Sequence, residues 1–178
     1  SGVASLSASG ELVWLDLDAA VPAAEPGGPV PQANEVRLAD KSGAETVIYT
    51  NSDWVILDTT FIDNGAQLAI GELQAAAAGA DPGNQFTRWL ALDRSGNVTE
   101  LASSLGFSEI APAPNGYLLL SADSTDMTPL VTLDYFDGTQ STTLWQEQAT
   151  SGIVWSLVWT AETPATQDAL TPFPAVTP

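Results

Sequence analysis

One stretch constrains this chain more than any other. Residues 108–147, SEIAPAPNGYLLLSADSTDMTPLVTLDYFDGTQSTTLWQE, read as four short strands in up-and-down order. Ser108–Ala113 is the first and Tyr117–Ala122 the second, with Pro114-Asn115-Gly116 turning the chain between them. Leu130–Tyr135 and Thr139–Gln146 follow, joined through Asp137-Gly138. Asn-Gly and Asp-Gly tolerate positive φ and so close tight hairpins. A chain holding such a quartet builds antiparallel sheet.

The other segments are looser copies of this unit. Residues 3–18, VASLSASGELVWLDLD, form a hairpin on Ser9-Gly10. Glu35–Ala39 pairs with Glu45–Thr50 across Asp40-Lys41-Ser42-Gly43. Trp54–Phe61 pairs with Gln67–Leu73 on Asp63-Asn64-Gly65, and Thr87–Leu92 with Asn97–Ala102 around Asp93-Arg94-Ser95-Gly96. Two turn types alternate. Ser9-Gly10, Asn64-Gly65 and Asn115-Gly116 precede an apolar strand; Ser42-Gly43, Ser95-Gly96 and Asp137-Gly138 join half-polar strands. Each type recurs at intervals of about fifty residues, the spacing of sheet repeats that stack as propeller blades.

Two insertions make the spacing uneven. Residues 20–34, AVPAAEPGGPVPQAN, are rich in proline, which lacks the ladder donor. Residues 74–86, QAAAAGADPGNQF, carry an Ala run without a periodic apolar face and then Pro82-Gly83, which favours a loop over a helical turn. Each joins the second strand of its unit to the third, so both should leave the same end. The expected fold is all-β: three four-stranded antiparallel propeller-like blades plus one extra strand, Ile153–Thr160, with a twisted β-sandwich as the alternative. Residues 1–160 make the module. Residues 161–178, AETPATQDALTPFPAVTP, read as a Pro/Thr-rich tail or linker.

Three stretches carry a family resemblance: FIDNGAQLAI at 61–70, APAPNGYLLL at 111–120 and, more distantly, SASGELVWL at 7–15. In register, they resemble the WD40-like β-propeller repeat of TolB and related bacterial proteins, whose blades carry a Ser-Pro-Asp-Gly-like turn before a short apolar strand. The Ser-Pro pair is missing in all three, and Asn replaces Asp beside two of the glycines. The resemblance spans roughly residues 3–160. It implies a scaffold for protein contacts more than an enzyme, and the family brings no universal catalytic residues. Propellers close with four to eight blades. Three blades leave two end faces, so the resemblance also implies a larger propeller, association of copies, or another packing. Ile153–Thr160 is expected to add to a sheet edge, near Val3–Ser7 or on a neighbouring molecule.

Charge narrows the partners. Lys and Arg total 4 against 22 Asp and Glu, for a formal charge of −18. Nucleic acid and anionic membrane surfaces need clustered cations, so both are poor partners. No apolar run approaches the roughly 18 residues of a membrane span. The acidic, Ala/Thr/Pro-rich composition resembles that of bacterial cell-surface proteins, so an extracellular or surface location is expected. The expected partner is a protein or further copies of the chain, with carbohydrate as an alternative.

Candidate chemistry is sparse. There is no Cys and no His, which removes thiol chemistry, zinc–thiolate sites, the usual general base and the Ser-His-Asp triad. Paired carboxylates suffice for glycoside hydrolysis, and the candidates are Asp16, Asp18, Asp58, Asp63, Asp123 and Asp126. Each sits at a strand end or turn, where Asp is favoured for local backbone bonds. Asp123-Ser124-Thr125-Asp126 offers oxygens to a hard cation but lacks EF-hand spacing. No cofactor is expected. Of the six tryptophans, Trp14, Trp54, Trp89 and Trp145 fall where a core strand would use them. Trp155 and Trp159, four apart on the last strand, share a face and are interaction candidates. Lys41 and Arg94 occupy the same turn position in two units, as solvated turn residues or as a cationic pair for an acidic partner.

Overall fold

A computed structural model describes residues 4–16, 34–74, 86–123, 128–149 and 173–174. Eleven strands make two antiparallel sheets. The first sheet holds β1 (Ala4–Leu6), β2 (Leu12–Leu15), β3 (Glu35–Ala39) and β4 (Glu45–Thr50), in that order. The second runs β5 (Trp54–Ile62), β6 (Gln67–Gln74), β7 (Phe86–Asp93), β8 (Val98–Ala113), β9 (Gly116–Asp123), β10 (Leu130–Phe136) and β11 (Ser141–Gln148). There is no α-helix among the described residues, and the sheets do not close into a barrel.

The quartets are the expected ones, with one difference. Asn97–Ala102 and Ser108–Ala113, expected as separate strands, fall on the two halves of a single 16-residue strand, β8. Its first half pairs with β7 up to Leu105, opposite Phe86. At Gly106 (φ 138) it changes partner and pairs with β9 from Asp123 onward. The outermost strand of blade 2 thereby becomes the innermost strand of blade 3. Blade 1 is β1–β4, blade 2 is β5 to the first half of β8, and blade 3 is the second half of β8 to β11. Ile153–Thr160 lies outside the described residues.

Turn chemistry repeats with the blades. In the hairpins β3–β4, β7–β8 and β10–β11 an Asp carboxylate accepts backbone N–H groups just ahead of it: Asp40 from Ser42 and Ala44, Asp93 from Ser95 and Asn97, Asp137 from Thr139 and Gln140. Gly43, Gly96 and Gly138 follow at φ 82°, 86° and 93°, a region open to glycine. Side-chain bonds from Ser42 and Asn97, together with these backbone bonds, hold Asp40 and Asp93 below their ordinary value, and at Asp137 the backbone bonds lead and bring it to about 2. Each outer strand also carries a bulge. One residue is extra there: Ile48 in β4, Leu101 in β8, Leu144 in β11.

Alternating side chains bury two seams. Between blades 1 and 2 lie Val13, Leu15, Val36, Leu38 and Ile48 against Ile56, Phe61, Leu68, Ile70 and Leu92. Between blades 2 and 3 lie Ile62, Ala69 and Trp89 against Ile110 and Tyr117, with Leu101, Leu119 and Phe136 beside them. Blade 2 is therefore covered on both faces, which is why Leu68, Ala69 and Ile70 are all fully buried in a run without alternation. The central strand segment Tyr117–Leu120 has Tyr117, Leu118 and Leu120 buried and Leu119 half-buried.

Candidate functional site

The polar chemistry of the described residues is concentrated at the blade 1–blade 2 seam, at its two ends. At the end bearing the short turns, Glu11 and Arg94 meet. Arg94 donates from Nη1 to Glu11 Oε1 at 2.7 Å and from Nη2 to Oε2 at 2.8 Å. It also donates from Nε and Nη2 to the Gly65 carbonyl, at 3.1 and 2.6 Å. Ser9 donates to Glu11 Oε2 at 2.8 Å. Both side chains of the pair are only 9% exposed. The Arg94 bonds hold the Glu11 carboxyl below its ordinary range, outweighing the upward push of burial. Hence Arg94 is neither a solvated turn residue nor open to an outside anion. It joins the β1–β2, β5–β6 and β7–β8 turns.

Phe173 completes this corner. It comes from the stretch read as a tail, yet it is 5% exposed and belongs to the blade 1–blade 2 core. The Arg94 guanidinium lies 4.1 Å from the centre of its ring. Pro174 sits over Gly96, so close that a Cβ there would meet its ring.

At the other end Glu72 is buried with no exposed side-chain surface. Its Oε1 accepts from Tyr49 Oη and Asn51 Nδ2, each at 2.7 Å. Its Oε2 accepts from Arg88 Nε and Nη2, again 2.7 Å each. Arg88 in turn lies 3.9 Å over the ring of Trp54, which meets Phe86 edge-on with centroids 6.0 Å apart. Burial, then the Glu72 anion, pushes the Tyr49 hydroxyl up to about 12. Every oxygen of Glu72 has donors, as a buried carboxylate requires. Because Asn51 follows β4 and Glu72 precedes the end of β6, the described C-terminal ends of β2, β4 and β6 all lie at this same end.

The blade 2–blade 3 seam is aromatic. Tyr117 and Phe136 stack with centroids 5.1 Å apart, and the Trp89 ring lies 3.0 Å from where a Cβ on Gly71 would be. Trp89 Nε1 donates to Ser108 Oγ at 3.1 Å. A cleft of about 210 Å³ opens here, lined by Leu101, Tyr117, Leu119, Asp134, Phe136 and Ser141. Asp134 Oδ1 already accepts from Thr143 at 2.5 Å. The cleft suits an apolar side chain more than a reaction, since beside its one carboxylate it brings only the Tyr117 phenol, whose hydroxyl burial pushes up.

The remaining candidates are scattered. Lys41 is exposed in the β3–β4 turn. Asp123 ends β9 opposite Gly106, and Asp126, Trp155, Trp159 and Asp18 lie outside the described residues. Asp16 pairs with Arg37, Asp63 is a turn residue at φ 49°, and burial pushes the Asp58 carboxyl up. No group of three or more His, Cys, Asp or Glu converges among the described residues. The sequence reading missed Glu11, Glu72 and Phe173. A signal existed for one of them: Glu72 follows the unbroken apolar run Leu68-Ala69-Ile70 in a strand buried on both faces.

Comparison with known proteins agrees with the fold. No family model matches the sequence, and no curated protein matches it. Among solved structures, an acylaminoacyl peptidase in complex with Z-Gly-Gly-Phe-chloromethyl ketone is similar, with a TM-score of 0.56 at 12% identity. The match covers 82% of this chain and 25% of that one, so the chain spans a quarter of the peptidase's length. That peptidase has a β-propeller domain, and the likeness shows a propeller-like fold alone.

Proposed function

We propose that this chain is a non-catalytic, propeller-like interaction module of the kind found in TolB-like proteins, working at the outside of a cell. The observation that carries this reading is where the buried charges go. Glu11–Arg94 is consumed in fastening blade 1 to blade 2, and Glu72, paired with Arg88 inside blade 2, takes Tyr49 and Asn51 from the blade 1 side, so the carboxylate oxygens are satisfied inside the chain. A catalytic carboxylate must keep a lone pair or a proton for substrate. What the blades offer outward is apolar sheet instead: Leu6 and Leu12 on blade 1, Phe107, Leu130 and Leu144 on blade 3.

A peptidase relative in fold and a set of surface carboxylates define the test. The purified chain is incubated with N-acylated peptide anilides and with aryl glycosides, and screened on a glycan array. No turnover and no glycan binding are expected. Turnover above buffer that is lost in Glu72→Gln or Asp134→Asn would overturn the reading, and saturable glycan binding would replace it with a carbohydrate module.

A further inference from the structure

The repeat allows each blade face to be judged against its equivalents. In blade 2 the cross-strand pair Phe61–Leu68 is buried, because blade 1 lies over it. In blade 3 the pair Pro112–Tyr117 takes the same place, and blade 2 covers Tyr117. In blade 1 the equivalent pair is Leu6–Leu12. Leu6 is 69% and Leu12 41% exposed, and Trp14 and Val47 on the same face are half-buried. The residues are of core type at a core position, and the blade that would cover them is not in this sheet order. At the other end of the row the position is different. The far face of blade 3 already has Leu118, Leu120 and Val131 buried, and only its margins, Phe107 and Leu144, stay open. Among the described residues, blade 1 is the uncapped end.

We propose that blade 1 is a self-association surface, occupied by the blade 1 face of a second copy of this chain. This rests on the reading of the chain as an interaction module and adds the partner. Two features favour a second copy meeting like with like. First, the face is self-complementary in charge. Arg37 lies beside Trp14 and Val47 and pairs with Asp16 at 2.5 Å and Glu35 at 3.2 Å. A cation and two carboxylates next to an apolar patch let a two-fold axis set each guanidinium against the second copy's carboxylates. Second, a two-fold contact closes at two copies, whereas blade 1 on blade 3 runs head to tail and finds the centre of the blade 3 face already closed. The net charge of −18 opposes association at long range, so salt should strengthen the dimer while it screens that repulsion.

Sedimentation equilibrium of the whole chain at several salt concentrations reads the outcome. The wild type should dimerise, more tightly as salt rises. Leu6→Glu and Leu12→Glu should each raise the dimer dissociation constant by about tenfold or more, because each sets a charge in the apolar contact. Both sites are exposed in the single chain, so circular dichroism and the denaturation midpoint should stay at wild-type values. Leu144→Glu should leave the dimer intact. A wild type that is monomeric at all concentrations and salts overturns the contact, as does a dimer that survives Leu6→Glu and Leu12→Glu together. So does a dimer broken by Leu144→Glu, which would place blade 3 in it. Any of these results leaves the interaction-module reading standing or falling on its hydrolysis and glycan assays.

Discussion

The two seams of this molecule join the same kind of blade by different means. Blades 2 and 3 share one uninterrupted strand, β8, so their alignment is set by backbone hydrogen bonds before any side chain contributes. Their contact then gathers rings into one cluster, Trp89 from blade 2 with Tyr117 and Phe136 from blade 3, while Trp89 donates to Ser108 and Asn64 to Asn115 across it. Blades 1 and 2 share no strand. Only residues 51–53 connect β4 to β5. Here the chain places its buried charge, with Glu11–Arg94 across one end, the Arg88-paired Glu72 of blade 2 taking Tyr49 and Asn51 at the other, and the aliphatic core between. The difference teaches what buried ion pairs do in a repeat fold. They add little net stability over apolar replacements but fix one alignment, because any slip strands a charge. The seam without a shared strand is the one that uses them.

The largest expected effect follows from stranding one of those charges. Arg94→Ala leaves Glu11 buried with only hydroxyl donors and removes the cation from the Phe173 ring, at a cost of about 3–5 kcal/mol. Replacing both partners, Glu11→Leu with Arg94→Met, should restore most of that loss, since no charge is left unpaired. Urea unfolding of the two variants checks this. Equal losses in the single and the double variant would mean that Arg94 acts through its bonds to the Gly65 carbonyl and not through Glu11. A smaller effect is expected at the other seam. Ser108→Ala keeps the Trp89 ring over Gly71 and removes the acceptor of its indole N–H, so about 1–3 kcal/mol should go. A loss as large as that of Arg94→Ala would show that the aromatic seam also depends on a polar lock.

Much of this arrangement is readable from the sequence, and the unreadable part has a physical reason. Strand order and hairpin partners follow from local signals, the Asp-x-x-Gly and Asn-Gly turns with apolar runs between them. Glu45–Thr50 and Gln67–Leu73 lie where those signals put them. The fusion of two expected strands into β8 was not legible. Gly106 and the polar run Ser103-Ser104 look like a turn, and only the pairing on both flanks keeps the chain extended. The ion pairs were not legible either. Arg94 and Glu11 are 83 residues apart, and a turn position alone says exposed. Phe173 sits among prolines and threonines that signal a linker, and one aromatic in such a stretch has no periodicity to mark it as core. Local chemistry writes the blades; how faces meet depends on partners distant in sequence.

The smallest expected effect separates the seams by pH. Tyr49 and Tyr117 lie one at each seam, and both hydroxyls are raised above the ordinary value of 10.0. For Tyr117 the cause is burial alone. For Tyr49 burial is joined by the Glu72 anion, which accepts its proton and would face a second negative charge if the phenol ionised, and its value reaches about 12. A group whose folded value lies above its unfolded one binds its proton more tightly in the folded state. Its contribution is full below pH 10.0 and disappears as pH rises through the folded value, here about 12 for Tyr49. Stability should therefore decline across that alkaline window. Tyr49→Phe should flatten the decline more than Tyr117→Phe, because it removes the tyrosine that faces a buried carboxylate. At neutral pH Tyr49→Phe should cost no more than about 1 kcal/mol, as Asn51 and Arg88 still satisfy Glu72. Denaturation midpoints of the three proteins from pH 9 to 12 decide the matter. If Tyr117→Phe flattens the curve more, the alkaline weak point lies in the aromatic seam, and the charged seam is not the one that proton loss unfastens.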